Sequence, residues 1–177
     1  VKSLIDRYDF IDKDRIALNG HSWGGYQIAF LVTRTNMFKA AVSGAPVVNM
    51  TSAYGGIRWE SGKSRMFQYE QTQSRIGGTL WDKPAEFIRN SPLFFLPQVQ
   101  TPVLIMHNDK DGSVMWEQGI EFFMALRRLD KPVWLFNYKG EGHHLKKWEN
   151  RLDYSRRVME FYDYYLKDGK KPEWMKS

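Results

Sequence analysis

At 177 residues, 42% hydrophobic and 15% aromatic, the chain can bury one ordinary core, and nothing in its composition suggests disorder. It has no cysteine, which excludes disulfides, thiolate metal sites and a cysteine nucleophile and leaves the compartment unknown. Lysine and arginine number 26 against 20 aspartates and glutamates, a net charge of +6, but they are scattered along the chain and read as solvated faces, so no nucleic-acid partner is expected.

No run approaches membrane-spanning length, and the opening Val1-Lys2-Ser3-Leu4-Ile5-Asp6 does not have the form of a signal peptide. The chain starts without Met, and the expectation is a piece of something longer. Residues 1–8, with apolar Val1, Leu4 and Ile5, predict the end of an amphipathic helix, and Ile11-Asp12-Lys13-Asp14 predicts a polar link. Next comes Arg15-Ile16-Ala17-Leu18-Asn19-Gly20-His21, an apolar strand that breaks at Ser22-Trp23-Gly24-Gly25 and runs into a helix over residues 25–35.

Gly-x-Ser-x-Gly between a strand and a helix is the pattern of a nucleophile elbow, a serine on a strained turn with Gly20 and Gly24 sparing it side-chain collisions. The helix start would direct unpaired N–H groups toward a developing oxyanion, with the Trp23 N–H as one donor. A plain Gly-rich turn can carry the same five residues, so the pattern draws its weight from the strand before and the helix after.

Lys39-Ala40-Ala41-Val42-Ser43-Gly44-Ala45-Pro46 predicts a second buried strand, ended by Gly and Pro. Periodicity then fades over residues 47–91, a long excursion carrying Tyr54, Trp59, Phe67, Tyr69 and Trp81. Such aromatics either shape a substrate pocket or pack within a small helical subdomain. Thr101-Pro102-Val103-Leu104-Ile105-Met106-His107 predicts a strand covered on both faces, followed by the turn-rich Asn108-Asp109-Lys110-Asp111-Gly112-Ser113. A helix over residues 116–129 keeps Gly119, Phe122, Phe123, Leu126 and Leu129 on one stripe. Val133-Trp134-Leu135-Phe136-Asn137-Tyr138 is the last strand, Lys139-Gly140-Glu141-Gly142-His143-His144 its loop, and residues 149–166 the final helix. The alternation predicts an α/β fold of about four parallel strands with flanking helices, which binds ligands beyond the C-terminal strand ends.

Ser22, Asp111 and His143 all fall at such ends. A serine hydroxyl is a poor nucleophile near neutral pH, so acyl transfer needs an imidazole to take its proton and an acid to fix the imidazole's tautomer. The order Ser, Asp, His is that of α/β-hydrolases. Order alone leaves Asp109 competing with Asp111 and His144 with His143. A metal site at His143 and His144 with Glu141 is set aside, because adjacent histidines rarely point at one ion and no further ligand has motif spacing. Neither a metal nor a cofactor is expected.

Three segments together resemble the prolyl oligopeptidase family of serine peptidases, which includes dipeptidyl peptidases and acylaminoacyl peptidases. Gly20-His21-Ser22-Trp23-Gly24-Gly25 is similar to the family's Gly-x-Ser-Tyr-Gly-Gly, with Trp23 in place of the usual tyrosine. Thr101 to Val114 resembles Thr-Pro-x-Leu-x-x-His-Gly-x-x-Asp-x-x-Val, with Asn108 where glycine is common, and this match selects Asp111. Gly140-Glu141-Gly142-His143-His144 resembles a Gly-His-Gly loop, with His144 in place of the second glycine, and selects His143.

The resemblance implies a serine peptidase with Ser22 as nucleophile, His143 as base, Asp111 as acid and the Trp23 backbone as oxyanion donor. It also implies that Tyr54 and Trp59 line the pocket for the residue before the scissile bond. Family members carry further sheet strands and a β-propeller ahead of the elbow, which this sequence does not include, so the expectation is the C-terminal half of a catalytic domain acting on a peptide substrate. An esterase of the same fold is the alternative. A catalytically silent module is another, self-associating as a homo-oligomer through the unpaired edge of the elbow strand.

Overall fold

The computed structural model describes residues 1–176. In chain order the elements are α1 (Lys2–Ile5), β1 (Ala17–His21), α2 (Trp23–Val32), β2 (Ala40–Gly44), α3 (Met50–Tyr54), β3 (Ile57–Arg58), β4 (Lys63–Ser64), α4 (Pro84–Arg89), β5 (Val103–Met106), α5 (Trp116–Arg128), β6 (Val133–Phe136) and α6 (Trp148–Leu166). β1, β2, β5 and β6 form one parallel sheet in that order, with Ala17 opposite Ala40, Ala41 opposite Val103 and Val103 opposite Val133.

Strand residues alternate between faces, and the two faces have separate cores. Ala41, Val103 and Ile105 pack with Ile28 and Val32 of α2 and with Phe122 and Leu126 of α5. Ala40, Val42 and Leu104 on the other face pack with Val158 and Phe161 of α6. Helices on both sides explain why β2 and β5 are buried along their whole length; β5 is apolar throughout, and Ser43, the one polar side chain in β2, donates to the Gly25 carbonyl at 2.9 Å.

Among the described residues β1 is paired on one side only, by β2, and its residues are half-buried apart from exposed Asn19. α6 ties this edge down. Tyr162 donates its hydroxyl to the Leu18 carbonyl at 3.0 Å, and Arg15, just before β1, caps the end of α6 at the Leu166 carbonyl at 2.9 Å.

Two stretches differ from the sequence expectation. Residues 1–8 hold a single helical turn, Lys2–Ile5, with no buried residue: Val1 and Leu4 are exposed and Ile5 is only partly covered. The excursion is not irregular throughout: it holds α3, the β3–β4 hairpin, a π-helical turn at Gln68–Thr72 and α4. These pieces are too short to show a period, and tertiary bonds fix them. Asn49 caps α3 by accepting from the Thr51 N–H at 3.1 Å, and Ser91 accepts from the Met50 N–H at 2.8 Å.

α2 starts at Trp23, two residues earlier than its sequence suggests, with Ser22 as N-cap. It crosses β1 and β2 in backbone contact. A Cβ on Gly25 would stand 2.2 Å from the Gly44 carbonyl oxygen, and one on Gly20 would stand 2.7 Å from that of Gly24, whereas one on Gly24 would meet nothing within 4 Å. Gly20 and Gly25, rather than Gly24, set the close approach. We therefore expect Gly25→Ala to lower the urea unfolding midpoint by the equivalent of ~1–3 kcal/mol, since the obstructing atom is backbone. Gly24→Ala should leave the midpoint unchanged or slightly raised, as removal of a helical glycine does.

Candidate active site

The β1–α2 turn presents Ser22 at φ 60° and ψ −117°, a strained conformation for a side chain with a Cβ. The turn is held by the Ser22 N–H donating to the Gly44 carbonyl at 2.8 Å and by the Tyr26 N–H donating to the Ser22 carbonyl at 3.0 Å. The first N–H groups of α2, from Trp23 onward, have no partner within the helix. Trp23 stacks on Tyr26 with ring centroids 4.5 Å apart, which fixes the first turn.

Ser22, His143 and Asp111 meet at the C-terminal end of the sheet. The Ser22 hydroxyl lies 2.9 Å from Nε2 of His143, and Nδ1 of His143 lies 2.8 Å from Oδ2 of Asp111. An ionised carboxylate only accepts, so Nδ1 carries the proton and Nε2 is left to accept from the serine. This line of bonds can pass the serine proton to the imidazole and stabilise the imidazolium that results. His144 is exposed, and Asp109 turns to the neighbouring loop, where it accepts from the Gly140 N–H at 2.8 Å.

Asp111 is buried, with 1% of its side chain accessible. Burial opposes its charge, but hydrogen bonds from His107 and His143 and from the Val114 N–H outweigh that and hold its carboxyl well below the usual carboxylate range. Oδ1 accepts from the Ser113 and Val114 N–H groups, each at 2.8 Å. His107, fully buried at the end of β5, places Nε2 3.2 Å from Oδ2 and 3.1 Å from the Val114 carbonyl. Its ring fits against α5 only because residue 119 is glycine: a Cβ there would stand 2.5 Å from Nδ1.

Asn108 joins the acid loop to the base loop. Its Nδ2 donates to the Gly142 carbonyl at 2.8 Å and its Oδ1 accepts from the Tyr138 N–H at 3.1 Å. Glu141 holds the other end of the base loop: it accepts from the Lys146 and Lys147 N–H groups at 2.8 and 3.0 Å and from Asn150 at 2.7 Å. Those bonds, the Lys146 N–H first among them, hold its carboxyl below its ordinary value. The β3–β4 hairpin closes over the acid loop: Glu60 accepts from the Ser113 hydroxyl at 3.0 Å, and Arg65 donates to the Ser113 carbonyl.

Of the two proposed pocket residues, Trp59 at the hairpin tip is 71% exposed, whereas the Tyr54 ring is buried. Tyr54 packs edge-on to Phe87 in a cluster that also takes in Val114 and Trp23, and its hydroxyl donates to Glu70 at 2.5 Å. His107, Asn108, Glu141 and His21 are the site neighbours to which sequence reasoning gave no role. Their signals were position, as polar residues flanking the acid, the base and the serine, and for His107 the histidine of the motif that the acid segment resembles. Burial, with the imidazoles of His143 and His144 adding to it, pushes His21 down to about 4.

Comparison with known proteins places these features. Residues 1–169 match the model of the prolyl oligopeptidase family. The chain is 30% identical over 151 residues to an uncharacterized peptidase of Bacillus subtilis, YuxL, covering 83% of this chain and 21% of that protein. It is 30% identical over 152 residues to the human acylamino-acid-releasing enzyme, covering 82% and 20%. The chain thus spans about a fifth of the length of the curated relatives it matches. Among solved structures, Pyrococcus horikoshii acylaminoacyl peptidase superposes with a TM-score of 0.83 at 22% identity, covering 99% of this chain and 28% of that one.

The Glu141 bonds make one expectation specific. Its native carboxylate stays charged to lower pH than in the unfolded chain, so its contribution to stability is complete above about 4.5 and fades as pH falls below that value. Glu141→Gln should lower Tm by ~2–4 °C at pH 7, and the gap to wild type should close in thermal melts taken at progressively more acid pH.

Proposed function

The chain belongs to the prolyl oligopeptidase family, and from that premise we propose that it bears the Ser-His-Asp machinery of a serine peptidase, cleaving peptide bonds through an acyl-enzyme. The observation that carries this reading is the unbroken line from the strained Ser22 through His143 to the buried Asp111, at 2.9 and 2.8 Å. Its four-stranded sheet corresponds, on this reading, to the C-terminal half of an α/β-hydrolase sheet.

Ser22 Oγ attacks the scissile carbonyl while its proton passes to Nε2 of His143. The Trp23 N–H, at the start of α2, donates to the oxyanion. His143 then returns the proton to the leaving amine, and a water activated by the same nitrogen releases the acyl group. Asp111 keeps Nδ1 protonated and stabilises the imidazolium between the two steps. The names of the relatives, acylamino-acid-releasing enzymes and dipeptidyl peptidases, support peptides as the substrate class. Trp59 contacts the substrate from the hairpin tip. The cluster holding Tyr54 forms the wall behind it, through Trp23 and Val114.

No helix among the described residues is long and apolar enough to cross a membrane. Pairing of a second copy along the open edge of β1 is the homo-oligomeric partner this reading allows.

Fluorophosphonate labelling of the purified protein, read by intact mass, tests the mechanism. One adduct is expected on the wild type and none on Ser22→Ala. Asp111→Asn should slow turnover of an activated ester by ~10³–10⁴, the loss that follows when the imidazole takes the wrong tautomer. Labelling retained by Ser22→Ala would remove this serine from the mechanism.

A further inference from the structure

Beside the serine the fold assembles three imidazoles that the sequence keeps apart. His21 is the last residue of β1, while His143 and His144 lie in the loop between β6 and α6. Their ring centroids form a near-equilateral triangle, 4.8 Å from His21 to His143, 4.7 Å from His21 to His144 and 4.8 Å from His143 to His144. One ring nitrogen from each lies within 4.8 Å of the other two. We propose that His21, His143 and His144 form a binding site for a divalent transition-metal ion of the zinc class, and that the bound ion switches the serine site off.

The sequence alone set aside a metal at this histidine pair for want of a third ligand; the fold supplies one in His21, more than 121 residues away in the chain, while Glu141 is engaged with Lys146, Lys147 and Asn150. Nε2 of His21 is buried and makes no hydrogen bond among the described residues, an arrangement that coordination to an ion would relieve. Three imidazoles without thiolate or carboxylate favour zinc, copper or nickel over calcium or magnesium. Tetrahedral bonds of about 2.0–2.1 Å put ligand nitrogens about 3.3 Å apart, so nitrogens that now lie within 4.8 Å of one another must close by up to about 1.5 Å. His144, exposed on its loop, is the member with room to turn inward.

His143 decides the consequence. Its Nδ1 is bonded to the buried Asp111, so only Nε2 is open to a metal, and the carboxylate behind Nδ1 becomes the outer partner that raises the ring's basicity as a ligand. Coordination takes the lone pair that otherwise accepts the Ser22 proton. The serine keeps its proton and no bond to substrate forms. Removal of the ion by a chelator restores the base. Metal binding stands on the histidine geometry alone, whereas the switching rests on the proposed role of Ser22 and His143.

Two measurements test this on the purified protein. Isothermal titration with zinc chloride should give one ion per chain, with affinity at least ~10-fold weaker in His144→Ala and in His21→Gln. His144→Ala changes an exposed side chain, so it remains informative if His21→Gln does not fold by circular dichroism. Cobalt(II) in place of zinc should give the intense visible absorption of a tetrahedral ion. In fluorophosphonate labelling, zinc should slow the wild type at least ~10-fold relative to its own metal-free rate, reversibly with a chelator, and should hardly change His144→Ala relative to its own.

Absence of stoichiometric zinc binding, or binding that both substitutions leave intact, overturns the site. Zinc bound through the histidines while labelling proceeds at the metal-free rate overturns the switch. If zinc binds through the histidines and the metal-free protein does not label at all, the peptidase reading falls while the metal site stands.

Discussion

A buried anion holds this site together. Asp111 receives two backbone N–H groups on one oxygen and two imidazoles on the other, and every element that carries chemistry is tied to one of those donors. The backbone donors come from its own loop, so the carboxylate folds its own turn as it becomes an acceptor. His107 links it to the end of β5 and to α5, and His143 links it to the loop after β6. A carboxylate out of water without such partners would pick up a proton or force the site open. With four donors it stays ionised, and an ionised Asp111 leaves His143 only one useful tautomer.

The braces around that anion come from distant parts of the chain. Asn108 spends both ends of its amide on the base loop and so adds a connection between the acid loop and the base loop. Glu141 anchors the same loop to the start of α6. The excursion contributes through Glu60 and Arg65, which reach Ser113 beside the acid. The segment that carries Tyr54 and Trp59 is thus also a clamp on the loop of Asp111.

The sheet was legible in the sequence because strands covered on both faces must be apolar throughout and because α5 shows its single stripe. The positions of Ser22, Asp111 and His143 at strand ends were readable from order, and the choice between neighbours at Asp109 and His144 needed the family resemblance. What stayed hidden depends on tertiary contact. Gly24 matches the elbow pattern, yet Gly20 and Gly25 make the backbone contacts, a fact set by how closely α2 crosses β2. The short pieces of the excursion have no periodicity of their own, and Asn49 becomes a cap only where the fold gives it a helix start. Buried polar residues such as His107 and Gln118 look like any other polar residue until their partners arrive. Gln118 accepts from the Val48 and Asn49 N–H groups across the domain, a role that no local pattern encodes.

The serine and its base lie 121 residues apart in the chain although their atoms touch in the fold. At synthesis rates of about 5–20 residues per second, the serine emerges on the order of ten seconds before the histidine that would activate it. During that interval the nascent chain holds an unremarkable hydroxyl. On the proposed mechanism reactivity arrives only with the docking of β6 and the loop that follows it, so until then the serine is inert toward its own ribosome-bound chain and its neighbours.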